Sequence, residues 1–392
     1  KCSGAIYRTP RADSQMKSEV YFIPLNSKDI QQRVSALEKL NDRLSQFLVY
    51  KKDELVPVKL TIGDSTCVYN ISPQLVKVIS AGIKKRGAKP FLFDTSVIYT
   101  GKRQNAFDHL TLAQDKGFGY TKVGAPFIVA DGLLGQDGRE YETGSSLIPK
   151  IKVPSFVGML DSLVVLTHAT GHIVSVYGGA IKNVAMGMSC RPTKQLQHSS
   201  LKPSIIEKKC SACGCCIAVC PAGAITYKPE GSGLASDKPE GHGAASDSHS
   251  HSHKDKKAFI NQELCVGCAE CICACNFDAV SINWKEDPRV FCRRMSDTAK
   301  TILSKFKNKI FITLALDITK ECDCISTKDE KMISEDIGIF ASTDILSLDK
   351  AVVDLINQDH RRHFKDTGVY EDMFSYGSTK GLGNLEYNLI KI

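Results

Sequence analysis

The segments CSACGCCIAVC at residues 210–220 and CVGCAECICAC at residues 265–275 both read C-x2-C-x2-C-x3-C. Bacterial ferredoxins hold [4Fe–4S] clusters with this spacing, and in two-cluster proteins the fourth cysteine of each motif ligates the other cluster. The short spacing lets a loop wrap one face of a cubane, and small intervening residues allow close backbone approach. The sequence therefore predicts two [4Fe–4S] clusters, one held by Cys210, Cys213, Cys216 and Cys275 and the other by Cys265, Cys268, Cys271 and Cys220.

A pair of structural zinc sites is the alternative interpretation of these cysteines. Such sites are usually built from two C-x2-C pairs separated by a longer spacer, which would leave the third cysteine of each motif without a role. Two tandem motifs therefore favour iron–sulfur clusters. Cys215 and Cys273 also lie inside the motifs, and we expect neither to be a ligand.

The overall composition is that of a soluble globular protein. Of 392 residues, 42% are hydrophobic and 24% are charged, and no apolar run approaches membrane-spanning length. The 16 cysteines indicate a reducing compartment, and without a signal-peptide pattern we expect a cytoplasmic location. The formal charge of +8 favours acidic surfaces on redox partner proteins, both donor and acceptor. The lysines are scattered without interleaved aromatic residues, so we expect neither nucleic-acid nor membrane binding.

Apolar strands that alternate with helices predict an α/β fold with a mainly parallel sheet flanked by helices. Strands are predicted at 20–25, 55–60, 90–93, 126–130, 162–167, 310–316 and 337–341, and helices at 30–47, 73–87 and 348–357. The cysteine motifs interrupt this fold as a small α+β ferredoxin-like two-cluster module. The predicted organisation is an N-terminal arm at 1–17, the α/β domain in two parts at 18–203 and 285–358, the module at 204–284 and a C-terminal tail at 359–392.

A polar insert lies between the two cysteine motifs. Residues 228–257 are rich in Gly, Ser, Asp and His, a composition that cannot bury a core, and we expect them to be disordered. The alternating serine and histidine residues could trap metal adventitiously, but a linker is the favoured interpretation.

Polar residues follow several of the predicted strands, namely Asp94, Asp131, His168 and Asp317. Ligand sites in open α/β sheets lie at the carboxyl ends of the strands. Any one of these residues could instead cap a helix or bond a loop. Together they predict a site at this edge of the sheet.

Several segments together resemble one family. They are VPVKL at 56–60, FDT at 93–95, GKR at 101–103, VGAP at 123–126, ADG at 130–132, HATGH at 168–172, GGAIKN at 178–183, QHS at 197–199, DITKECDC at 317–324 and DIGI at 336–339. They resemble the iron–sulfur proteins of the DUF362 family, a domain of unknown function, with an inserted ferredoxin module. The resemblance covers roughly residues 55–358. It implies a cytoplasmic α/β protein with two [4Fe–4S] clusters and an unassigned reaction.

A third site is predicted away from the two motifs. Its candidates share residue types that bind metals or move protons, and they are His168, His172, Lys182, His198, Asp94, Cys322 and Cys324. Imidazoles and two thiolates suit zinc or ferrous iron, and Lys182 or Asp94 would then do acid–base chemistry on a substrate. The alternative is that the histidines bond loop backbone and the cysteines are small buried hydrophobic residues.

Three functions remain open at this point. The first is an electron carrier in which the clusters move single electrons between partner proteins. The second is a reductase whose α/β domain binds a metal or substrate, because a carrier alone rarely needs about 300 further residues. The third is a maturation or scaffold protein that passes metal or clusters. We favour cluster-based electron transfer attached to an oxidoreductase reaction.

Overall fold

The computed structural model describes residues 17–99, 101–198, 202–228, 257–265, 270–281, 287–325, 327–358, 364 and 368–392. The predicted insert at 228–257 therefore lies outside the described residues except for its first and last residue. The predicted arm at 1–17 lies outside them except for Lys17.

One sheet of eight strands organises the protein. Its strands are β1 (Ser18–Pro24), β2 (Leu55–Lys59), β3 (Lys89–Asp94), β4 (Phe127–Val129), β7 (Ser162–His168), β14 (Asn308–Ala315), β15 (Gly338–Ser342) and β16 (Tyr387–Lys391). Their order is β16-β1-β15-β14-β7-β2-β3-β4. Only β15 runs against its neighbours, and all the other pairings are parallel. The predicted α/β fold with a mainly parallel sheet is confirmed.

Helices cover both faces of this sheet, and the described helices are short to medium in length. They are α1 (Ile30–Arg43), α2 (Pro73–Lys85), α3 (Ala106–Asp115), α4 (Tyr120–Val123), α5 (Ala180–Ala185), α6 (Arg191–His198), α7 (Cys215–Ala218), α8 (Glu270–Ala274), α9 (Pro288–Leu303), α10 (Ile345–Asn357) and α11 (Val369–Thr379). Within the described part of the chain, no helix is both long and apolar enough to cross a membrane.

The side chains of each central strand point alternately into two cores. In β7, Leu163 and Val165 join the core under α5, α9, α10 and α11, whereas Val164 and Leu166 join the core under α1 to α4. Alternation with period two is the geometry of a strand, and burial on both sides explains why β7 reads as a continuous apolar run. The two cores fix the sheet between its helices and hold the carboxyl ends of β2, β3, β7 and β14 at one edge.

Small two-stranded sheets complete the architecture. They pair β5 (Arg139–Glu142) with β6 (Lys150–Val153), β8 (Thr170–His172) with β9 (Val176–Gly178), β10 (Ser204–Ile205) with β13 (Val280–Ser281), and β11 (Ile225–Tyr227) with β12 (Ala258–Ile260). The last two sheets and helices α7 and α8 belong to the cysteine-rich segment, residues 204–281. This segment has its own small core, which includes Cys216, Cys271 and Cys275.

The C-terminal residues differ from their prediction as a tail at 359–392. Helix α11 packs on α9, and β16 pairs in parallel with β1 at the edge of the main sheet. Strand β16 is half-exposed and short, so its apolar pattern is weak. It is ordered by backbone hydrogen bonds to a strand that lies more than 360 residues earlier in the chain, which no local pattern reveals.

Candidate functional site

A cavity of about 260 Å³ opens at the carboxyl edge of the main sheet. The loops after β2, β3, β7 and β14 form its walls together with α5 and α6. The residues predicted for a third site all line it, namely Asp94, His168, His172, Lys182, His198, Cys322 and Cys324. The structure therefore brings together side chains that are up to 230 positions apart in the sequence, at the place where open α/β sheets bind ligands.

Asp94 is buried at the end of β3 and is surrounded by cations. Its carboxylate lies 3.0 Å from Lys59 Nζ and 3.4 Å from Arg103 Nη1. Burial alone would raise the pKa of Asp94, but Lys59, His109 and Arg103 lower it to about 2. Asp94 is therefore a permanent anion that holds cations in place, which suits a positioning role better than proton transfer.

His168 is committed to an ion pair. Its Nδ1 lies 2.8 Å from the Asp323 carboxylate, and its Nε2 lies 2.8 Å from the carbonyl oxygen of Leu316. Both neighbours accept hydrogen bonds, so both ring nitrogens act as donors, as they do in an imidazolium. Burial opposes this charge, but Asp323 raises the pKa of His168 above its usual value. Neither nitrogen is then available to a metal.

His172 and His198 are neutral, and both rings lie near Phe291. The Nδ1 atom of His172 accepts hydrogen bonds from the backbone N–H of Ser175 at 3.0 Å and of Val174 at 3.3 Å. The proton of the neutral ring must therefore sit on Nε2. Burial lowers the pKa of His172 well below its usual value and that of His198 to about 3. The ring centroids lie 6.0 Å and 4.9 Å from that of Phe291.

Lys182 meets the two thiols of the C-x-C pair. Burial lowers the pKa of Lys182, but its interactions with Cys322 and Cys324 raise that pKa above its usual value. Cys322, Tyr99 and Arg103 line the same cavity as Cys324 and interact with it electrostatically. Arg103 Nη2 also donates to Tyr99 Oη at 2.8 Å. The C-x-C pair thus lies in a pocket of hydrogen-bond donors and positive charge.

Several residues of this site carried no prediction of their own. They are Lys59, Tyr99, Arg103, Lys194 and Asp323. From its place in strand β2, Lys59 would be expected to point to solvent, as a polar residue of a strand commonly does. Its ammonium is instead fully buried and donates hydrogen bonds to Leu60 O at 2.7 Å and to Asn183 Oδ1 at 2.8 Å. A lysine inside an otherwise apolar strand is the one local signal that could have identified it, because lysine is almost never fully buried without a partner.

Four of the predicted cluster ligands line a second, smaller cavity in the cysteine-rich segment. They are Cys210, Cys213, Cys216 and Cys275, so the fourth cysteine of the second motif faces the first three of the first. The backbone at Ala212 and Gly214 is left-handed, with φ of 59° and 77°, which turns the loop around these thiols.

The two motifs share a local geometry at their fourth cysteine. The backbone N–H of Ala224 donates to Cys220 Sγ, and that of Ala279 donates to Cys275 Sγ, each at 3.2 Å. Such N–H···S bonds are typical of ligated cysteines and influence the reduction potential of a cluster. Cys265 and Cys271 border the same small core as Cys220, and Cys268 lies outside the described residues.

Among the described residues, no group of three or more His, Cys, Asp or Glu side chains converges on a point that would hold one metal ion. A cubane does not require such convergence, because each cysteine ligates a different iron at a separate corner. The same finding gives no support to a single third metal at the larger cavity.

Comparisons with known proteins give a family and distant structural likenesses. No curated protein matches the chain. A Thermotoga maritima protein of known crystal structure shares 10% sequence identity with this chain, and the two structures superpose with a TM-score of 0.38. The match covers 91% of this chain and 61% of that protein. The lactate racemase apoprotein of Thermoanaerobacterium thermosaccharolyticum is 15% identical with a TM-score of 0.30, covering 48% and 43%. The chain thus spans less than two thirds of either protein, and at these scores neither likeness bears on function.

A family model, in contrast, covers most of the chain. The model described as domain of unknown function (DUF362) matches residues 56–354. This range includes the main sheet from β2 to β15, the larger cavity and the cysteine-rich segment. The chain belongs to the DUF362 family.

Proposed function

We propose that this protein is an iron–sulfur electron-transfer protein whose two [4Fe–4S] clusters serve a reductive site in the α/β domain. The main observation in support is that Cys275 lines one cavity with Cys210, Cys213 and Cys216, although it lies 59 residues after the last of them. This exchange of the fourth ligand between motifs is what the two-cluster ferredoxin spacing requires and what separate zinc sites would not need. The second cluster would be held by Cys265, Cys268, Cys271 and Cys220.

The protein's own groups around the ligands support electron transfer. When bound, each cluster would accept and release one electron at a time. The N–H bonds to Cys220 and Cys275 stabilise negative charge on sulfur. Lys208 and Lys209 are exposed directly before Cys210 and offer positive charge to an acidic redox partner protein.

The larger cavity supports an oxidoreductase rather than a carrier alone. It encloses the C-x-C pair with Lys182, Arg103 and Tyr99, and a docking platform would need no such interior site. A third metal, iron or zinc, fits this cavity less well, because both ring nitrogens of His168 are bonded and Nδ1 of His172 accepts backbone bonds.

Metal analysis of single variants tests the ligand exchange. Anaerobically purified wild-type protein should contain about eight iron and eight sulfide per chain. Cys213→Ser and Cys275→Ser should each lose about half of the iron, and the double variant should lose no more than either single variant, because both residues would hold the same cluster. Cys213→Ser combined with Cys220→Ser should lose nearly all of it.

Cys215→Ser is the matched control. Cys215 lies inside the first motif and its thiol is exposed, but the ferredoxin spacing does not use it, so both clusters should remain. Low-temperature electron paramagnetic resonance of the dithionite-reduced proteins should show one cluster signal in each single-ligand variant. Additive loss in Cys213→Ser/Cys275→Ser would refute the exchange, and zinc in place of iron would refute the function.

A further inference from the structure

The C-x-C pair is held by a tight turn at the floor of the larger cavity. The backbone N–H of Ile325 donates to the carbonyl oxygen of Cys322 at 3.0 Å, which closes a four-residue turn with Cys324 at its third position. The intervening Asp323 points away to His168 and accepts a hydrogen bond from it at 2.8 Å. The backbone carbonyl of Asp323 also accepts from the N–H of Asp64 at 3.0 Å. The turn is therefore anchored on both sides, and its two cysteines line the same cavity.

Hydrogen-bond donors and positive charge surround the C-x-C pair. Tyr99, Arg103 and Lys182 line the cavity together with both cysteines. Cations beside a thiol favour its thiolate form. Cys324 is partly exposed whereas Cys322 is buried, so a molecule in the cavity meets the sulfur of Cys324 first.

The thiols are within reach of a small molecule. Cys322 is buried, whereas Cys324 is partly exposed to the cavity. Ile173, in the turn between β8 and β9, and Ile325 also line the cavity, and their side chains are 74% and 48% exposed. These two residues mark an opening to solvent beside the C-x-C turn. A volume of about 260 Å³ admits a small ligand but excludes a folded segment of another protein.

We propose that Cys322 and Cys324 form a redox-active dithiol, with Cys324 as the attacking thiolate and Cys322 as the resolving thiol, and that it acts on a small disulfide in the cavity. The C-x-C turn supplies both sulfurs, the cations and donors that line the cavity favour the thiolate, and the opening admits the substrate. The direction of the pKa of each thiol agrees with this division. Cys322, Lys182 and Arg103 lower the pKa of Cys324 well below its usual value although burial opposes it. The hydrogen bond to Cys324, together with burial, raises that of Cys322.

The reduction of the substrate by the dithiol balances by itself, and only the regeneration of the dithiol needs a reductant. The Cys324 thiolate attacks one sulfur of the substrate disulfide, and the other sulfur leaves as a thiolate. Cys322 then loses its proton and attacks Cys324 Sγ, which releases the second substrate thiol and forms the Cys322–Cys324 disulfide. Two electrons and two protons restore the dithiol. Only the source of these electrons rests on the proposed function, in which reduced clusters deliver them singly.

Peptide mass spectrometry of the full-length protein with its clusters tests the dithiol directly. Trypsin releases both cysteines in one peptide, ECDCISTK at residues 321–328. After anaerobic incubation with oxidised glutathione or bis(2-hydroxyethyl) disulfide and acid quenching, this peptide should lose two hydrogen atoms. Cys322→Ser should stop at a mixed disulfide on Cys324, whereas Cys324→Ser should react at least about tenfold more slowly at Cys322. Dithiothreitol should restore the reduced wild-type peptide.

The pH profile of iodoacetamide alkylation in the unaltered protein keeps the test independent of any folding defect. Cys324 should be alkylated half-maximally below the usual pKa of a thiol, and Lys182→Met should move this midpoint upward. Other titratable groups near Cys324 are Lys59 and His198, so the profile is compared with those of Lys59→Met and His198→Asn. Cys190 and Cys292, whose pKa burial raises to about 12, are the internal controls and should stay unmodified.

The outcomes separate this proposal from the proposed function. An internal disulfide with no iron in the protein would support the dithiol and refute the clusters. Intact clusters with a 321–328 peptide that neither loses hydrogen nor reacts faster than Cys190 would refute the dithiol alone. Iron or zinc that is bound by wild type, is lost in Cys322→Ala/Cys324→Ala and blocks alkylation would replace the dithiol with a metal site.

Discussion

Replacing Lys59 by methionine tests whether the buried ion pair beneath the cavity is a structural element of the site. The Lys59 ammonium lies 3.0 Å from Asp94 Oδ1 and donates to Leu60 O and Asn183 Oδ1. Both charged side chains are at most 3% exposed, so water cannot replace the lost partner. Breaking a buried pair by removing one member costs about 3–5 kcal/mol.

The neighbours of Asp94 place the expected loss within this range. Arg103 Nη1 remains at 3.4 Å from Asp94 and offsets part of the lost attraction. Two acceptors of Lys59 lose a donor, which costs about 1 kcal/mol each. We therefore expect Lys59→Met to lower the free energy of unfolding by about 4 kcal/mol. Asp94→Asn should cost about 2 kcal/mol, because Lys59 keeps its other two acceptors and burial already lowers its pKa.

Anaerobic urea unfolding at pH 7, followed by far-ultraviolet circular dichroism, measures these changes. The double variant should lose about 4 kcal/mol rather than the sum of the single losses, because each change removes the same interaction. Lys89→Met is the matched control, since Lys89 pairs with Asp53 at the same 3.0 Å but both side chains are more than half exposed. It should cost less than about 1 kcal/mol. Additivity of the two buried changes within about 0.5 kcal/mol would refute the coupling.

Two further predictions concern the walls of the cavity. Asp323 raises the pKa of His168 above its ordinary 6.5, so the folded state binds the proton more tightly. The resulting stabilisation is complete below pH 6.5 and is lost as pH rises through the folded-state pKa. The difference in unfolding free energy between wild type and His168→Asn, measured by urea unfolding from pH 6 to 9, should therefore shrink with rising pH, and a constant difference would contradict the ion pair. A Cβ on Gly171 would lie 2.0 Å from the carbonyl oxygen of Lys320, just before the C-x-C turn. Gly171→Ala should therefore lower both the stability of the protein and the alkylation of Cys324. The control is Gly377→Ala, whose added Cβ has no neighbour nearer than 3.3 Å and which should leave both nearly unchanged. Equal behaviour of the two variants would show that the turn tolerates displacement.

Elements of the main sheet were predictable where local periodicity and burial agree. Strand β7 was expected at 162–167 and spans Ser162–His168, because both of its faces are buried and its apolar run is continuous. Helix α2 was expected to begin at Pro73 and does, because proline suits the first helical turn. Strand β16 and helix α11 escaped prediction, since they are ordered mainly by contacts with β1 and α9 from distant parts of the chain.

The candidate site was predictable as a location but not as a set of roles. Polar residues after parallel strands must meet at one edge of the sheet, so Asp94, His168 and Cys322 were expected to lie near one another. Their protonation and contacts were not predictable. His168 was predicted to be a metal ligand, but its Nδ1 atom forms a hydrogen bond with Asp323, 155 residues later. Asp94 was predicted to act as an acid or base, but its carboxylate forms ion pairs with Lys59 and Arg103.

The sequence alone determined what depends on neighbours within a few residues. Cysteine spacing predicts which thiols would share one cubane, and the hydrophobic period indicates which segments form strands and helices. Only the tertiary structure decided which charged groups share a buried, low-dielectric space. There, the charge of His168 depends on Asp323, 155 residues later, and the pKa of Cys324 is lowered by Lys182 and Arg103 as well as by its neighbour Cys322. That dependence is why the chemistry of the cavity follows from the fold and not from any single motif.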